Sequence, residues 1–553
     1  MIHRMLSRKT LLGIATTIAA GLSLAACGGG GGGGGASPPP PPPPPVSRTP
    51  QKAVFMAEDT TLGQRHLYAA GDEGGDLTPL TTAFANPDGD VSAYALSPDG
   101  RTVAFSADAE IDGEVDLYLI DTNGGTPIKV DTGFPVNTPI NRLFWSPDSS
   151  QVAYVANPQG RAARGFALYE VFLVDRDGSN NRKINGPIGS PAVVSVSNPI
   201  WSPDSRYVLQ TVKSLDPFQV DIGYNIYDTS VGAPNSTRVS PALDWRNGES
   251  LDSRAVWDST STRIIYKSDF ETNNVTRLYS TAVDGSGTVR LNGPLTSGGD
   301  VYSFQLSPDG RSVAYIADQV TDRRFELFVR ELDGTSVSRL TASLGSNRVP
   351  TFAWSPDSTR IAFDDDRTTA NVRELYVANV DGSSTTRVSR PLASGQYARL
   401  PTWSPDGRSL AFVSDQEEPG RAELYAVEAD GSNERRMSRN DAGGGFGAKV
   451  WSPDSTMLAY AASQEDRSVL ELFVAPADGS ANMKINAELG EDEEVLSSSV
   501  AWSDDGTRII FSDYYYEVFS SRWEYLDLWI GTTDGAAPIM INDTFDYNGL
   551  HSY

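Results

Sequence analysis

The sequence predicts an all-β fold built from about ten similar four-stranded sheets. The pattern WSPDGRSLAF at 403–412 recurs from residues 96, 145, 201, 306, 354, 451 and 502, with a degenerate copy from residue 257. Successive copies begin 48 to 56 residues apart, a period typical of propellers and solenoids. Each period contains short alternating apolar segments separated by turn residues, as antiparallel strands do. Together these observations predict a β-propeller.

The segment 351–390 illustrates one unit. The apolar run ending at Trp354 predicts a first strand, and Ser-Pro-Asp predicts the turn, because proline fixes φ while Ser and Asp bond nearby N–H groups. Ser358 stands where other units have glycine, so a positive φ there is an open question, as it is at Ser455. TRIAF and ELYVANV predict the second and third strands, and Asp-Gly at 381–382 predicts the hairpin to the fourth.

The third strand recurs as ELFVRELDG from residue 326, ELYAVEADG from residue 423 and ELFVAPADG from residue 471. The Ser-Pro-Asp-Gly turn, followed by Leu-Tyr and Asp-Gly, resembles the TolB-type (WD-like) β-propeller repeat over residues 52 to about 540. The resemblance implies a fold rather than an activity, because the motif residues are turn and packing residues.

The number of units is ten, since KAVFMAED at 52–59 predicts a first unit that lacks its opening strand. We expect residues 547–553, YNGLHSY, to supply that strand and close the ring. A single ring of ten blades is favoured, although propellers usually have four to eight blades. Two smaller rings in tandem therefore remain an alternative.

The first 51 residues have a different character from the repeats. Residues 1–26 have a basic start, an apolar run too short for a comfortable membrane span, and the sequence LAAC ending at Cys27. This resembles a bacterial lipoprotein signal and implies that Cys27 is lipidated and attached to the outer membrane, on its periplasmic or surface side. Residues 27–51 predict a tether, with eight glycines and then eight prolines, and residues 52–553 form the repeats.

Composition excludes several classes of function. The chain has 553 residues and a net charge of −26, which argues against a nucleic-acid partner, since phosphate binding needs a basic face. Cys27 is the single cysteine, so an intramolecular disulfide is impossible. Of the three histidines, His3 lies in the signal, His66 is expected on the surface of a strand, and His551 lies in the proposed closing strand. No metal or cofactor is predicted.

The connections between second and third strands vary between units, and they should gather on the face opposite the uniform turns. Variable loops on a rigid scaffold are where binding sites usually lie. The candidate binding residues come from an acidic run, DDDR, expected to be solvated, and from a long aromatic insertion at 513–525. They are Asp364, Asp365, Asp366, Tyr514, Tyr515, Tyr516 and Trp523. Packing of the aromatic residues on a neighbouring loop is the structural alternative.

The sequence contains no Gly-x-Ser-x-Gly nucleophile elbow. We therefore predict an outer-membrane lipoprotein, attached through Cys27, that presents its propeller as a non-catalytic platform for an envelope protein, peptide or glycan. The alternative is a propeller hydrolase or lyase acting on an extracellular polysaccharide or peptide, and a purely structural spacer is a third possibility.

Overall fold

The computed structural model describes residues 52–540, apart from 59–63, 72–76, 82–83, 131–132, 136, 159–168, 186–193, 197, 215–221, 231–235, 242, 244–249, 252–253, 342–349, 490–492 and 518–521. Cys27, His551 and the proposed closing strand at 547–553 lie outside these residues. The described part is all-β, with forty-one strands and one 3₁₀ turn at Ser497–Ser499.

The strands form ten consecutive antiparallel sheets, here called blades 1 to 10. Blades 1 to 5 comprise β1 Lys52–Glu58, β2 Arg65–Gly71 and β3 Thr78–Pro79; β4 Val91–Leu96, β5 Thr102–Ala107, β6 Asp116–Asp121 and β7 Ile128–Val130; β8 Ile140–Trp145, β9 Gln151–Ala156, β10 Glu170–Asp175 and β11 Arg182–Lys183; β12 Val194–Val196, β13 Ile200–Trp201, β14 Tyr207–Ser214, β15 Ile222–Asp228 and β16 Ser236–Arg238; and β17 Val256–Trp257, β18 Arg263–Ser268, β19 Arg277–Ala282 and β20 Val289–Arg290.

Blades 6 to 10 continue the pattern. They comprise β21 Val301–Leu306, β22 Ser312–Ala317, β23 Glu326–Glu331 and β24 Val337–Arg339; β25 Phe352–Trp354, β26 Arg360–Asp365, β27 Glu374–Asn379 and β28 Thr385–Arg387; β29 Ala398–Trp403, β30 Ser409–Glu418, β31 Arg421–Glu428 and β32 Arg435–Arg436; β33 Phe446–Trp451, β34 Met457–Ala462, β35 Glu471–Pro476 and β36 Met483–Lys484; and β37 Glu493–Val495, β38 Ala501–Trp502, β39 Arg508–Glu517, β40 Arg522–Thr532 and β41 Ile539–Met540.

The two middle strands of each blade form the core. All six residues of β22 are buried, and so are all six of β5, because both faces of a middle strand are covered by neighbouring blades. The first strands of adjacent blades lie close together, as β4 and β8 do, and therefore surround the central channel. The fourth strands lie at the outer edge and are largely exposed, as β28 is.

The blades close into one ring. Ten hydrophobic clusters each join one blade to the next. The cluster that closes the ring packs Phe55 and Ala57 of β1 against Leu528 and Ile530 of β40. A single ten-blade ring is thus confirmed, and the alternative of two tandem rings is wrong. The described part of blade 1 has three strands, as its missing opening motif predicts.

In six blades the tryptophan of the repeat links the blade to the one before it. Its indole N–H donates to a backbone carbonyl in the preceding first strand, because the ring lies across the blade interface while its polar edge points to the neighbouring strand. The six bonds are Trp145 to Ala95 O (2.9 Å), Trp201 to Phe144 O (3.0 Å), Trp257 to Ile200 O (3.1 Å), Trp403 to Ala353 O (3.0 Å), Trp451 to Thr402 O (3.2 Å) and Trp502 to Val450 O (2.8 Å).

The serines at the last turn position have a positive φ, which answers the question left open by the sequence. Ser358 has φ 63° and Ser455 has φ 64°. The hydroxyl of Ser358 accepts a 3.0 Å hydrogen bond from the backbone N–H of Asp309, in the turn of the previous blade, and Ser455 does the same for Asp406 at 3.1 Å. This inter-blade bond offsets the cost of a left-handed conformation in a residue with a Cβ.

Candidate functional site

The two faces of the ring are built differently. The Ser-Pro-Asp and Asp-Gly turns share one face, here called the turn face, where Arg176 beside one Asp-Gly turn contacts Asp99 of a neighbouring Ser-Pro-Asp turn at 2.5 Å. The opposite face, here called the loop face, holds the connections between second and third strands. The side chains of the turn face are needed to form the turns. The sequence of the loop face is therefore the one that can vary between blades.

An aspartate at the base of the second-to-third connection organises the loop face. In blade 8, one carboxylate oxygen of Asp415 accepts the N–H of Tyr397 (2.7 Å) and the other accepts the N–H of Gly420 (2.9 Å). Asp318 makes the same two bonds in blade 6, to Asp300 and Arg323. Both aspartates are buried. These bonds hold each connection in one conformation, which favours recognition because less order must be created on binding.

The acidic run DDDR was expected to be solvated, and this expectation is wrong for Asp364, Asp365 and Asp366. All three are buried, with 2%, 2% and 0% of their surface exposed. Asp366 is the loop-organising aspartate of blade 7 and accepts the N–H of Asn371 at 3.0 Å. Asp365 pairs with Arg367 at 2.9 Å. Sequence could not show this burial, because the compensating arginines lie outside the repeat motif.

Asp364 forms a buried ion pair with Arg373. The Nε of Arg373 donates to Oδ2 of Asp364, and its Nη2 donates to the backbone oxygen of the same residue at 2.8 Å. The other carboxylate oxygen accepts both the N–H and the hydroxyl of Thr351, each at 2.5 Å. Blades 6 and 8 have Ile316 and Val413 at the corresponding position. Whether the acidic triplet binds a ligand stays a prediction.

The Asp364 network reaches the central channel. The hydroxyl of Thr351 also accepts the N–H of Leu400 at 3.0 Å. Leu400 lies in a β-bulge of β29, has φ 58° and is 41% exposed. A corresponding bulge in β21 leaves Tyr302 56% exposed. A positive φ in leucine is strained by about 1–2 kcal/mol, and strained bulged residues occur at functional sites. The channel is therefore a second candidate region.

The aromatic insertion of blade 10 forms an extended hairpin. Tyr514, Tyr515 and Tyr516 lie in β39, and Tyr516 is opposite Trp523 of β40 in the register. A bulge separates this extension from the rest of the blade, between Ser512 and Tyr514. Residues 518–521 lie outside the described part. The role of these four aromatic residues in binding stays a prediction.

His66 is buried rather than on the surface, which corrects the expectation for this residue. It is 2% exposed, its Nδ1 lies 3.2 Å from the hydroxyl of Thr81, and its ring packs against Phe84. Within the described ranges, no group of three or more His, Cys, Asp or Glu side chains is arranged to hold a metal ion. None of the helical structure in the described part is long and apolar enough to cross a membrane.

Grooves open at the outer seams of the ring, where adjacent blades diverge. The groove between blades 5 and 6, here called the seam groove, has a volume of about 700 Å³. It is lined by Arg290 and Asn292 of blade 5 and by Gln319, Phe328, Arg330 and Arg339 of blade 6, among others. A groove of about 510 Å³ lies at the equivalent seam of blades 8 and 9 and contains Gln464 and Asn482.

Each groove is lined by a glutamine that is bonded by a buried tyrosine of the second strand. The hydroxyl of Tyr315 donates to Gln319 (3.0 Å) in the seam groove, and that of Tyr460 bonds Gln464 (3.4 Å) in the other. Burial raises the pKa of Tyr315 to about 12 despite the N–H of Gly293 and the Gln319 side chain, so this phenol stays protonated at neutral pH. Sequence reasoning missed both grooves, because their residues come from fourth strands and following connections, outside the recurring turn motifs.

Comparisons with known proteins support the fold. Residues 258–444 match the family model described as the TolB beta propeller domain, which confirms the resemblance predicted from the turn motifs. No match was found among curated proteins.

Similar solved structures include TolB from Acinetobacter baumannii, at 15% identity and a TM-score of 0.25, covering 62% of this chain and 77% of that one. Dipeptidyl peptidase 4 from Porphyromonas gingivalis has 13% identity and a TM-score of 0.43, covering 66% of this chain and 56% of that one. Oligogalacturonate lyase from Vibrio parahaemolyticus has 12% identity and a TM-score of 0.34, covering 68% and 97%. These likenesses assign no activity.

Proposed function

Starting from a TolB-type β-propeller, we propose that this chain is a lipid-anchored envelope protein that presents the ring as a non-catalytic binding platform. The observation that carries the proposal is the loop face, where buried aspartates such as Asp415 and Asp318 fix the variable connections from both sides. Cys27 supplies the attachment to the outer membrane, and the glycine- and proline-rich tether sets the ring away from the lipid.

Paired variants on the two faces test the platform. Asp415→Ala removes a loop-organising carboxylate, whereas Asp357→Ala removes a turn carboxylate that accepts the N–H of Thr359 at 3.1 Å on the opposite face. Both variants are made in a Cys27→Ala background, which is free of lipid, and each is used to capture binding partners from envelope extracts. The affinity of each variant for the captured species is then measured by saturation binding. We expect Asp415→Ala to weaken saturable binding and Asp357→Ala to leave it unchanged.

The competing hypothesis of a hydrolase or lyase is tested in the same preparation. The wild-type ring is incubated with extracellular polysaccharides and peptides, and products are separated by chromatography. The platform proposal predicts no turnover. Turnover that is lost when an inner-strand carboxylate such as Glu494 is changed to glutamine would overturn it, and equal binding by both face variants would do the same.

A further inference from the structure

The seam groove has a positive surplus in a protein that is strongly acidic. Its lining includes three arginines, Arg290, Arg330 and Arg339, against one carboxylate, Glu271. The whole chain has a net charge of −26. In the equivalent groove of blades 8 and 9, by contrast, one arginine faces Asp441 and Glu465. The two grooves therefore share a scaffold and differ in the sign of their charge.

The surplus arises where blade 6 lacks an ion pair that blades 2, 5, 8 and 9 share. In those four blades a basic residue of the fourth strand pairs with a glutamate nineteen residues earlier in the same blade. The close pairs are Lys129 with Glu110 (2.7 Å), Arg436 with Glu417 (3.1 Å) and Lys484 with Glu465 (3.0 Å). In blade 6 the basic residue is Arg339, and the residue nineteen positions earlier is Val320, which is 51% exposed.

Arg339 therefore lacks the solvent-side carboxylate that four of its counterparts have, as does Arg387 of blade 7, where Thr368 stands at that position. Arg339 keeps one carboxylate partner, the fully buried Glu326, which accepts a hydrogen bond from Nη2 of Arg339. Its side chain is 41% exposed, so the rest of the guanidinium is accessible from the groove that it lines. A guanidinium has five N–H donors in a planar fork that matches a carboxylate.

Arg330 adds a second cation, and in the described part of the chain it has no carboxylate partner. Its Nε and Nη2 donate to the carbonyl of Gly334 (3.1 and 2.9 Å), and its Nη1 donates to the carbonyls of Arg290 (2.9 Å) and Leu291 (3.0 Å). Burial lowers the pKa of Arg330 from its ordinary value. A bound anion would supply the counter-charge that this partly buried guanidinium lacks.

We propose that the seam groove binds an acidic peptide segment of a partner protein, with a carboxylate received by Arg339 and an apolar neighbour placed on Val320. The proposal rests on the platform function and adds the class of ligand. Clusters of arginine are a recurring means of recognising acidic peptide motifs. An acidic glycan fits less well, because Phe328 is 2% exposed and offers no open ring face on which a sugar could pack.

The reversal of the departure provides the test. Val320→Glu introduces the glutamate that four other blades have and should block the site. The position is exposed and should tolerate the change. The probe is a fluorescein-labelled decapeptide of alternating Glu and Val, and its control replaces each Glu with Gln. Fluorescence anisotropy with the lipid-free Cys27→Ala chain should show binding of the Glu peptide that weakens about tenfold in Val320→Glu and in Arg339→Gln.

A matched control lies in the equivalent groove. Lys484→Gln removes the corresponding cation of blade 9 and should leave peptide affinity unchanged. Unchanged melting temperatures in all three variants exclude misfolding. Equal affinity of wild type and Val320→Glu would overturn the proposal, and so would equal affinity for the Glu and Gln peptides. Displacement of the peptide by alginate at equal carboxylate concentration would overturn the assignment to a peptide.

The failure of this site is distinguishable from the failure of the platform. If Val320→Glu retains the envelope binding that Asp415→Ala loses, the seam groove proposal is overturned and the platform stands. If no saturable binding exists for either the envelope species or the Glu peptide, both are overturned.

Discussion

Breaking the Arg373–Asp364 ion pair tests whether the acidic triplet is a structural part of blade 7. Arg373→Leu introduces the residue that blade 9 has at the corresponding position, Leu470. Asp364 is then left as a charge with 2% of its surface exposed and with Thr351 as its remaining side-chain donor. Removing one partner of a buried pair destabilises a protein by about 3–5 kcal/mol, and we expect a loss of this size.

A second change should restore much of that loss. In Asp364→Asn/Arg373→Leu the charge is gone, while the amide oxygen still accepts the N–H and hydroxyl of Thr351. The remaining cost is the lost bond to the backbone carbonyl of residue 364 and an amide NH2 group whose former counterpart accepted from Arg373, together about 2 kcal/mol. The double variant should therefore be more stable than Arg373→Leu by about 2 kcal/mol, a coupling expected for contacting residues.

Equilibrium urea denaturation followed by tryptophan fluorescence measures these differences from the shift in midpoint at constant slope. Arg408→Leu is the surface control, since the Arg408 side chain is 83% exposed, and a change within about 0.5 kcal/mol is expected. An Arg373→Leu protein within 1 kcal/mol of wild type, or a double variant less stable than the single one, would refute the reasoning.

Four further predictions concern other parts of the chain. Trp451→Phe should lower the free energy of unfolding by about 1 kcal/mol more than Trp354→Phe, because the indole of Trp451 bonds the preceding blade while that of Trp354 has no bond; equal losses in denaturation would contradict this. Burial alone would raise the pKa of Asp148, but the hydrogen bonds of its turn lower this pKa below 3.8. The ionised carboxylate therefore stabilises the fold above that pH, and the melting temperature should fall as the pH drops below about 4. A melting temperature that stays constant from pH 5 to 2 would count against this prediction. Cys27→Ala should abolish incorporation of labelled fatty acid in cells. Deleting 546–553 should lower the melting temperature measurably, and an unchanged transition would remove the proposed closing strand.

The fold was predictable because its determinants are local and repeated. Each WSPD-type segment contains the residues that form its own turn, and the nine copies outweigh the uncertainty of any one of them. A single closed ring was predictable from the missing opening strand of the first unit, but the residues that close it were not, because the packing of Phe55 with Leu528 joins residues far apart in sequence. The positive φ of Ser358 could not be predicted for the same reason, since its stabilising partner, Asp309, belongs to another blade.

The candidate site was less predictable than the fold. An acidic run such as DDDR has the composition of a solvated loop, and its burial depends on Arg367 and Arg373, which a single sequence does not pair with particular carboxylates. The burial of His66 follows from Thr81 and Phe84, which lie in the connection between β3 and β4. Aligning the units on their turn motifs and comparing the residue nineteen positions before the basic residue of each fourth strand could have identified Val320 from the sequence.

Departures from the repeat separate structural from functional positions in this ring. A residue shared by most blades is explained by the fold itself, since each of those blades needs it for the same turn or the same contact with the next blade. A departure that is compensated within its own blade, as Asp364 is by Arg373, restores a buried charge balance and has a structural explanation. The exchange at Val320 has no such compensation, because Arg339 pairs with the buried Glu326 but keeps a partly exposed guanidinium without the outer carboxylate that four of its counterparts have. An arginine with no carboxylate on its outer side, beside an exposed valine and the second cation Arg330, is better explained by a ligand that contributes the missing carboxylate.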